Sequence, residues 1–177
     1  MAFTTRDFQP EDLETLWRID QACFPRGISY SRQELKLYLR RPRSFALVAT
    51  DDGAAEDSNA RNKTRPAEAA PDTIAGFIVA EAGSRGTGHV ITIDVVVKAR
   101  RSGAGSLLLR SAEERLRAEN CHSVALETAV DNLAALAFYK RHGYSVTRTF
   151  PRYYSNGVDA LVLSKSLQQK DGGSGEA

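Results

Sequence analysis

Residues 98–116 read KARRSGAGSLLLRSAEERL, and the first half of this stretch is suited to holding an anion. Arg100 and Arg101 supply fixed positive charge in a fork that matches phosphate oxygens. Gly103 and Gly105 let the backbone approach a ligand closely. The amphipathic run that follows predicts a helix, and the first N–H groups of a helix lack partners and attract anions. The chemistry is therefore the grip of a phosphate or diphosphate. A Walker loop requires G-x-x-x-x-G-K-[ST], which the chain does not contain. A dinucleotide fingerprint requires G-x-G-x-x-G, but the third glycine position is Leu108 and no acidic ribose partner is evident on a following strand. What remains is R-x-x-G-x-G, as Arg100-Arg101-Ser102-Gly103-Ala104-Gly105. A tight turn with solvated arginines is the competing reading.

The surrounding elements must position this loop. AFTTRDF alternates as a first strand, and QPEDLETLWRIDQACF carries a helical stripe beginning near Pro10. SRQELKLYLRR predicts a second helix with Ser31 and Glu34 as a capping box, ended by Pro42. SFALVAT and IAGFIVAEA are apolar strands that could pair as a hairpin. Between them, residues 51–73 contain no aromatic residue and no Ile, Leu or Val, so they read as a disordered insertion within one domain spanning 1–168. GSRGTG is a turn, and HVITIDVVVKA is the longest β-branched run and reads as a central strand. A helix over roughly 103–119 follows, then strand SVALETA. The helix DNLAALAFYKRH is stopped by Gly143. Strands YSVTRTF and VDALVLSKSL flank RYYSNG, and 169–177 is a flexible tail.

Three consecutive blocks, HVITIDVVVKARRSGAGSLLL, ALETAVDNLAALAFYKRHGY and RYYSNGVDALVLSKSL, resemble the GNAT acetyltransferases. Within that superfamily they look nearest to the enzymes that acetylate protein N-termini, of which the ribosomal-protein-alanine acetyltransferases (RimI type) are the bacterial members. The match covers roughly residues 88–167, with CFP…SYS in the first half. The resemblance implies a mixed, mainly antiparallel α/β sheet of about seven strands with helices on both faces. It also implies a splay between strands 4 and 5 that admits the pantetheine arm of acetyl-coenzyme A.

Acetyl transfer from a thioester to an amine needs a neutral amine, a stabilised oxyanion and a departing thiolate. Glu127, flanked by Ala125, Leu126 and Ala129, can hold a carboxylate in a partly apolar cleft and act as base, with a salt-bridged strand glutamate as the alternative. His89 aligns with a site-facing position of eukaryotic relatives and is the second candidate base. The resemblance implies that a backbone N–H in the Val95, Val96, Val97 region faces the oxyanion. It also implies that Arg100, Arg101, Ser102, Gly103, Ala104, Gly105 and Ser106 hold the diphosphate. Relatives usually carry a proline just inside this loop, where the chain has Val97-Lys98-Ala99. Tyr139 matches the general acid of the family, and Asn132 is either a contact to the cofactor or a helix cap. A phenol ionises near 10 and a thiol near 8.5, so full proton transfer from Tyr139 is uphill by roughly 2 kcal/mol. Tyr153 and Tyr154 correspond to tyrosines that hold the substrate backbone, and Phe24, Pro25 and Tyr30 to the opposite wall.

The composition, 42% hydrophobic and 26% charged in 177 residues, is that of a soluble globular protein. A formal net charge of +2 gives no case for nucleic acid, and no apolar run approaches the roughly 20 residues that span a bilayer. The amino-terminal residues lack the apolar core of a signal peptide, so a cytoplasmic protein, monomeric or a weak homodimer, is expected. Cys23 and Cys121 have no metal-ligand spacing and read as buried thiols, so no metal is expected. Asn62-Lys63-Thr64 matches a glycosylation sequon without a secretion signal. A small amine or lysine acceptor, a non-catalytic acetyl-coenzyme A-binding module and a nucleic-acid binder are the alternatives. The presence of Glu127 and Tyr139 counts against the module, and the low net charge against nucleic acid.

Overall fold

The computed structural model describes residues 2–51 and 73–168. The segment expected to be a disordered insertion lies, apart from its two end residues, outside the described residues, as does the tail at 169–177. The strands are β1 (Phe3–Asp7), β2 (Ser44–Asp51), β3 (Ile74–Ala82), β4 (Thr87–Val95), β5 (Ser123–Ala129), β6 (Ser145–Phe150) and β7 (Ala160–Ser166). They form one sheet in the order β1-β2-β3-β4-β5-β7-β6. Every neighbouring pair is antiparallel except β4 with β5. The mixed, mainly antiparallel sheet expected from the resemblance is therefore present.

Side-chain alternation on the central strands explains why helices cover both faces. Phe45, Leu47 and Ala49 of β2 pack with Ile78 and Ala80 of β3 on one side. Ala46 and Val48 pack with Phe77 and Val79 on the other. The first face receives α3 (Ala104–Ala118), whose Leu108, Leu109, Ala112 and Leu116 form one apolar stripe, and α4 (Leu133–Arg141) through Leu136 and Tyr139. The second face receives α1 (Leu13–Cys23) through Leu16 and Ile19, and α2 (Arg32–Leu39) through Leu35.

The helix ends follow the sequence. Ser31 Oγ accepts from Glu34 N–H at 3.2 Å, and Glu34 Oε2 accepts from Ser31 N–H at 2.8 Å, closing the capping box of α2. Asn132 Oδ1 accepts from Ala135 N–H at 3.1 Å and caps α4. Beyond α4, Gly143 takes a φ of 86°. The buried carboxylate of Glu113 on α3 accepts from Tyr144 Oη at 3.0 Å and from Lys165 Nζ at 2.7 Å. This network ties α3 to β7 and to the turn behind α4.

Two details of β4 differ from the simple strand expected over HVITIDVVVKA. The strand stops at Val95, and Val97–Ala99 is a 3-10 turn. β3 begins at Ile74, so its edge offers Val96 a last acceptor, Ala75 O at 2.9 Å, and the chain then closes on itself through Ala99 N–H to Val96 O. The register also slips within the strand. Val79 pairs with Thr92 but Ala80 with Val90, leaving Ile91 as a bulge. The bulge changes the phase, so Val90, Ile93 and Val95 pack on the α3 side, while Ile91 joins the α1–α2 core.

Candidate active site

The sheet opens where β4 meets β5. The two strands pair only over Thr87–His89 and Ser123–Ala125, although β4 continues to Val95 and β5 to Ala129. Twist separates them beyond that point and leaves a gap lined by unpaired backbone. Val96 N–H is committed to Ala75 O at 2.9 Å. In an antiparallel ladder the direction of the backbone groups alternates. Val95 N–H, one residue earlier, therefore faces the gap, and Ile93 N–H faces it two residues before that. Val97 lies in the 3-10 turn with its side chain exposed. Of the three amides anticipated here, Val95 is the one turned to the gap. Ile93 joins it, although nothing in its residue type signals this, because the register of β3 against β4 sets it.

The amino-terminal end of α3 adjoins the end of β4. Gly103 is the N-cap with a φ of 101°, a conformation that favours glycine, and a Cβ there would meet nothing within 4 Å. No side chain caps the helix, and its first backbone bond runs from Leu107 N–H to Gly103 O at 2.9 Å. The amides of Ala104, Gly105 and Ser106 are thus the orphan donors of an uncapped 15-residue helix beside an open glycine. This cradle fits a diphosphate. Arg101 is exposed, with a φ of 61°. The other side chains of the loop are engaged elsewhere. Ser102 Oγ donates to Ala99 O at 2.6 Å, and Ser106 Oγ lies 3.0 Å from His142 Nε2. Arg100 turns inward, donating from Nε to Val95 O at 3.0 Å and from Nη2 to Cys23 Sγ at 3.5 Å.

At the closed end of the gap, His89 Nε2 and Glu127 Oε2 are 2.6 Å apart. His89 holds the last paired position of β4, and Glu127 lies two residues past the last paired position of β5. Val124 and Leu126 face the α3 core, so alternation sends Glu127 to the opposite face, where His89 meets it. Tyr153 and Tyr154 lie close enough to Glu127 to be influenced by its charge. Their rings form a T-shaped contact, with centroids 5.1 Å apart, in the loop between β6 and β7. Burial first, then Tyr153 and Glu127, pushes the Tyr154 phenol up to about 12.

Tyr154 also lines a cavity of about 320 Å³ with Cys23, Phe24, Pro25, Ile28 and Asn132. Tyr153 is half exposed and stacks on Phe150. The loop after α1 and the loop before β7 join across this cavity, where Ser155 Oγ donates to Gly27 O at 3.0 Å. Tyr30 sits behind the wall. Its hydroxyl donates to Ile91 O at 3.3 Å, and its ring contacts Tyr38. A shallower depression of about 470 Å³ near Arg117 and Leu167, at the other end of β5, lies away from all these groups.

Tyr139 of α4 packs in the core on the α3 side, is 6% exposed, and lies near enough to Asp94 and Tyr154 to be influenced by them. Its hydroxyl has no hydrogen-bond partner among the described residues. Burial, followed by the nearby charge of Asp94, pushes the phenol well above its usual range. Beneath the end of β4 lie two further carboxyl groups that sequence reading missed. Asp94 is 1% exposed, accepts from Thr92 Oγ1 at 3.0 Å, and leaves Oδ1 without a partner. Asp20 of α1 is fully buried and accepts from Tyr30 N–H at 2.9 Å, again with Oδ1 unpartnered. Burial, reinforced by Asp20, pushes Asp94 up to about 8, and burial pushes Asp20 up to about 6. The half-buried Cys23 thiol donates to Val95 O at 3.5 Å and is pushed up by burial and by Asp94.

The site can hold a diphosphate on amides, pair an extended amide-bearing chain against one strand, and take a proton at a histidine–carboxylate pair. A family model described as the acetyltransferase (GNAT) family matches residues 13–144. N-alpha-acetyltransferase 30 of Homo sapiens is 38% identical over 81 residues, which are 46% of this chain and 22% of that protein. The chain spans about half the length, or less, of the curated relatives it matches. The crystal structure of Ard1 from Thermoplasma volcanium superposes with a TM-score of 0.77 at 27% identity, covering 96% of this chain and all of that one. The structure of the NatC complex bound to Gag peptide and CoA matches in fold, with a TM-score of 0.74 at 22% identity, over 95% of this chain and all of that one.

Proposed function

Because the chain belongs to the acetyltransferase (GNAT) family, we propose that it transfers the acetyl group of acetyl-coenzyme A to the α-amino group of a protein N-terminus. The observation that carries this reading is the 2.6 Å His89–Glu127 pair at the closed end of the β4–β5 gap. An α-amino group ionises near 7.7–8.0 and a lysine near 10.4. Removing the proton at neutral pH costs about 1 kcal/mol for the first and about 4.6 kcal/mol for the second. A histidine hydrogen-bonded to a glutamate is base enough for an N-terminus. The name N-alpha-acetyltransferase carried by the human relative is consistent with that acceptor.

The residues divide the work. The amides of Ala104, Gly105 and Ser106, with Arg101 beside them, take the diphosphate. Ile93 and Val95 offer N–H groups to the arm in the gap and to the acetyl oxygen as charge develops on it. A preorganised donor of this kind contributes about 3–4 kcal/mol. The His89–Glu127 pair takes the ammonium proton, and the freed nitrogen lone pair attacks the thioester carbon. As the carbon–sulfur bond breaks, the second nitrogen proton passes to solvent water and the sulfur departs as thiolate. A phenol is a weaker acid than a thiol, so the role assigned to Tyr139 is to hydrogen-bond the departing sulfur. Tyr154, Phe24 and Pro25 hold the acceptor chain, and the Ser155–Gly27 bridge roofs its channel. Among the described residues no helix is long and apolar enough to cross a membrane, and we place the enzyme in the cytoplasm.

Incubation with isotope-labelled acetyl-coenzyme A and a library of short peptides tests the proposal. Label on the α-amines of a subset of N-termini is expected. Label confined to lysine side chains, or absent from all peptides, overturns it.

A further inference from the structure

His142 closes α4, and its two ring nitrogens have different partners. Nδ1 is 2.8 Å from the carbonyl oxygen of Phe138. A carbonyl only accepts, so Nδ1 carries a hydrogen. In the neutral ring Nε2 is then an acceptor, and Ser106 Oγ, 3.0 Å away, donates to it. In the protonated ring the direction reverses, with Nε2 donating to Ser106 Oγ. The Ser106 hydroxyl is engaged with α4 in either state.

Ser106 is the third residue of α3, so its backbone N–H belongs to the anion cradle while its side chain faces α4. The same junction has an apolar half. A Cβ placed on Gly105 would touch Phe138 Cε2 at 3.5 Å, and the Phe138 and His142 rings lie 4.4 Å apart, centroid to centroid. The last turn of α4 is thus seated on the first turn of α3 by one ring contact and one side-chain hydrogen bond. Tyr139 lies on that turn.

We propose that His142 is a positioning residue. Through Ser106 it fixes the helix bearing Tyr139 to the amide cradle, so that seating the diphosphate also sets where the phenol stands at the gap. This rests on reading the mouth of α3 as the coenzyme A site and Tyr139 as the partner of the departing sulfur. It assigns the Ser106 hydroxyl to alignment and leaves the cofactor only the Ser106 amide.

The full chain is tested with Ser106→Ala, with His142→Phe (which keeps a ring against Phe138), with the double variant, and with His142→Gln, which keeps a polar side chain. Coenzyme A affinity is measured by calorimetry, and turnover by thiol release with a pool of N-terminal peptides. The expected result is a Kd within about twofold of wild type in every variant, with kcat lower by about five- to tenfold in each disrupting single variant. The double variant falls no further than the worse single one, and His142→Gln recovers most of the loss. A Kd raised tenfold or more by Ser106→Ala, an unchanged kcat, or additive losses overturns the proposal. A wild-type chain that does not bind coenzyme A overturns the site reading and the proposal together.

Discussion

Arg100, in the loop expected to grip phosphate, turns its guanidinium back onto the carbonyl of Val95, with Nε 3.0 Å from the oxygen. The peptide joining Val95 to Val96 is held at both ends, since Val96 N–H is bound to Ala75 O. The strand end that presents Val95 N–H to the gap is fixed without a proline. Both arginines are exposed, and of the two it is the Arg100 guanidinium that is tied to the strand end. Arg101→Ala is expected to weaken coenzyme A binding by about three- to tenfold with kcat retained. Arg100→Ala should lower kcat by a similar factor with a smaller change in Kd. Calorimetry and steady-state kinetics on the two variants separate these roles, and equal losses of affinity would refute the division.

His89 and Glu127 act as one unit in the proposed mechanism. His89→Ala and Glu127→Gln should each lower kcat/KM by about 10²-fold, and the double variant should be little worse than either. Independent, multiplying losses measured on one peptide would show that the two side chains do not share a proton path.

The Tyr139 hydroxyl forms no bond that holds the fold together. Tyr139→Phe should therefore leave the thermal midpoint within about 2 °C of wild type. It should also leave coenzyme A affinity unchanged and reduce kcat by about tenfold or more. If kcat survives, the hydroxyl has no part in departure of the sulfur.

Asp94 and Asp20 give stability a pH dependence whose sign follows from burial. In the unfolded chain both ionise near 3.9, whereas the folded values are pushed up to about 8 and about 6. Between those limits the folded state binds more protons, so the contribution is fully present below pH 4. It is lost as pH rises, up to about 6 for Asp20 and about 8 for Asp94. Thermal midpoints should fall from pH 5 to pH 8.5. Asp94→Asn should flatten the decline above pH 6 and melt higher than wild type at pH 8. A parallel decline in the variant would show that Asp94 is already ionised in the fold.

Much of this protein could be read from local sequence. Ser31 with Glu34, Asn132 and Gly143 bound their helices where their chemistry places them, because capping and turn formation involve residues a few positions apart. The continuous apolar runs SFALVAT and IAGFIVAEA called for strands that could pair as a hairpin, which β2 and β3 do, and Gly103 before an apolar stripe called for an open helix mouth. Residue type and apolar neighbours raised Glu127 as a candidate, and the family resemblance raised His89 and Tyr139, but neither gave their arrangement.

Tertiary structure decided whatever depends on register and on contacts between distant segments. The bulge at Ile91 and the place where β4 and β5 part determine which amides face the gap, and a one-residue slip would exchange Val95 for Val96. The contact of Arg100 with Cys23, the influence of Asp20 on Asp94, and the His142–Ser106 bond join segments separated by many residues. No local pattern encodes such contacts, because their geometry exists only once the sheet has set the distance between its helices.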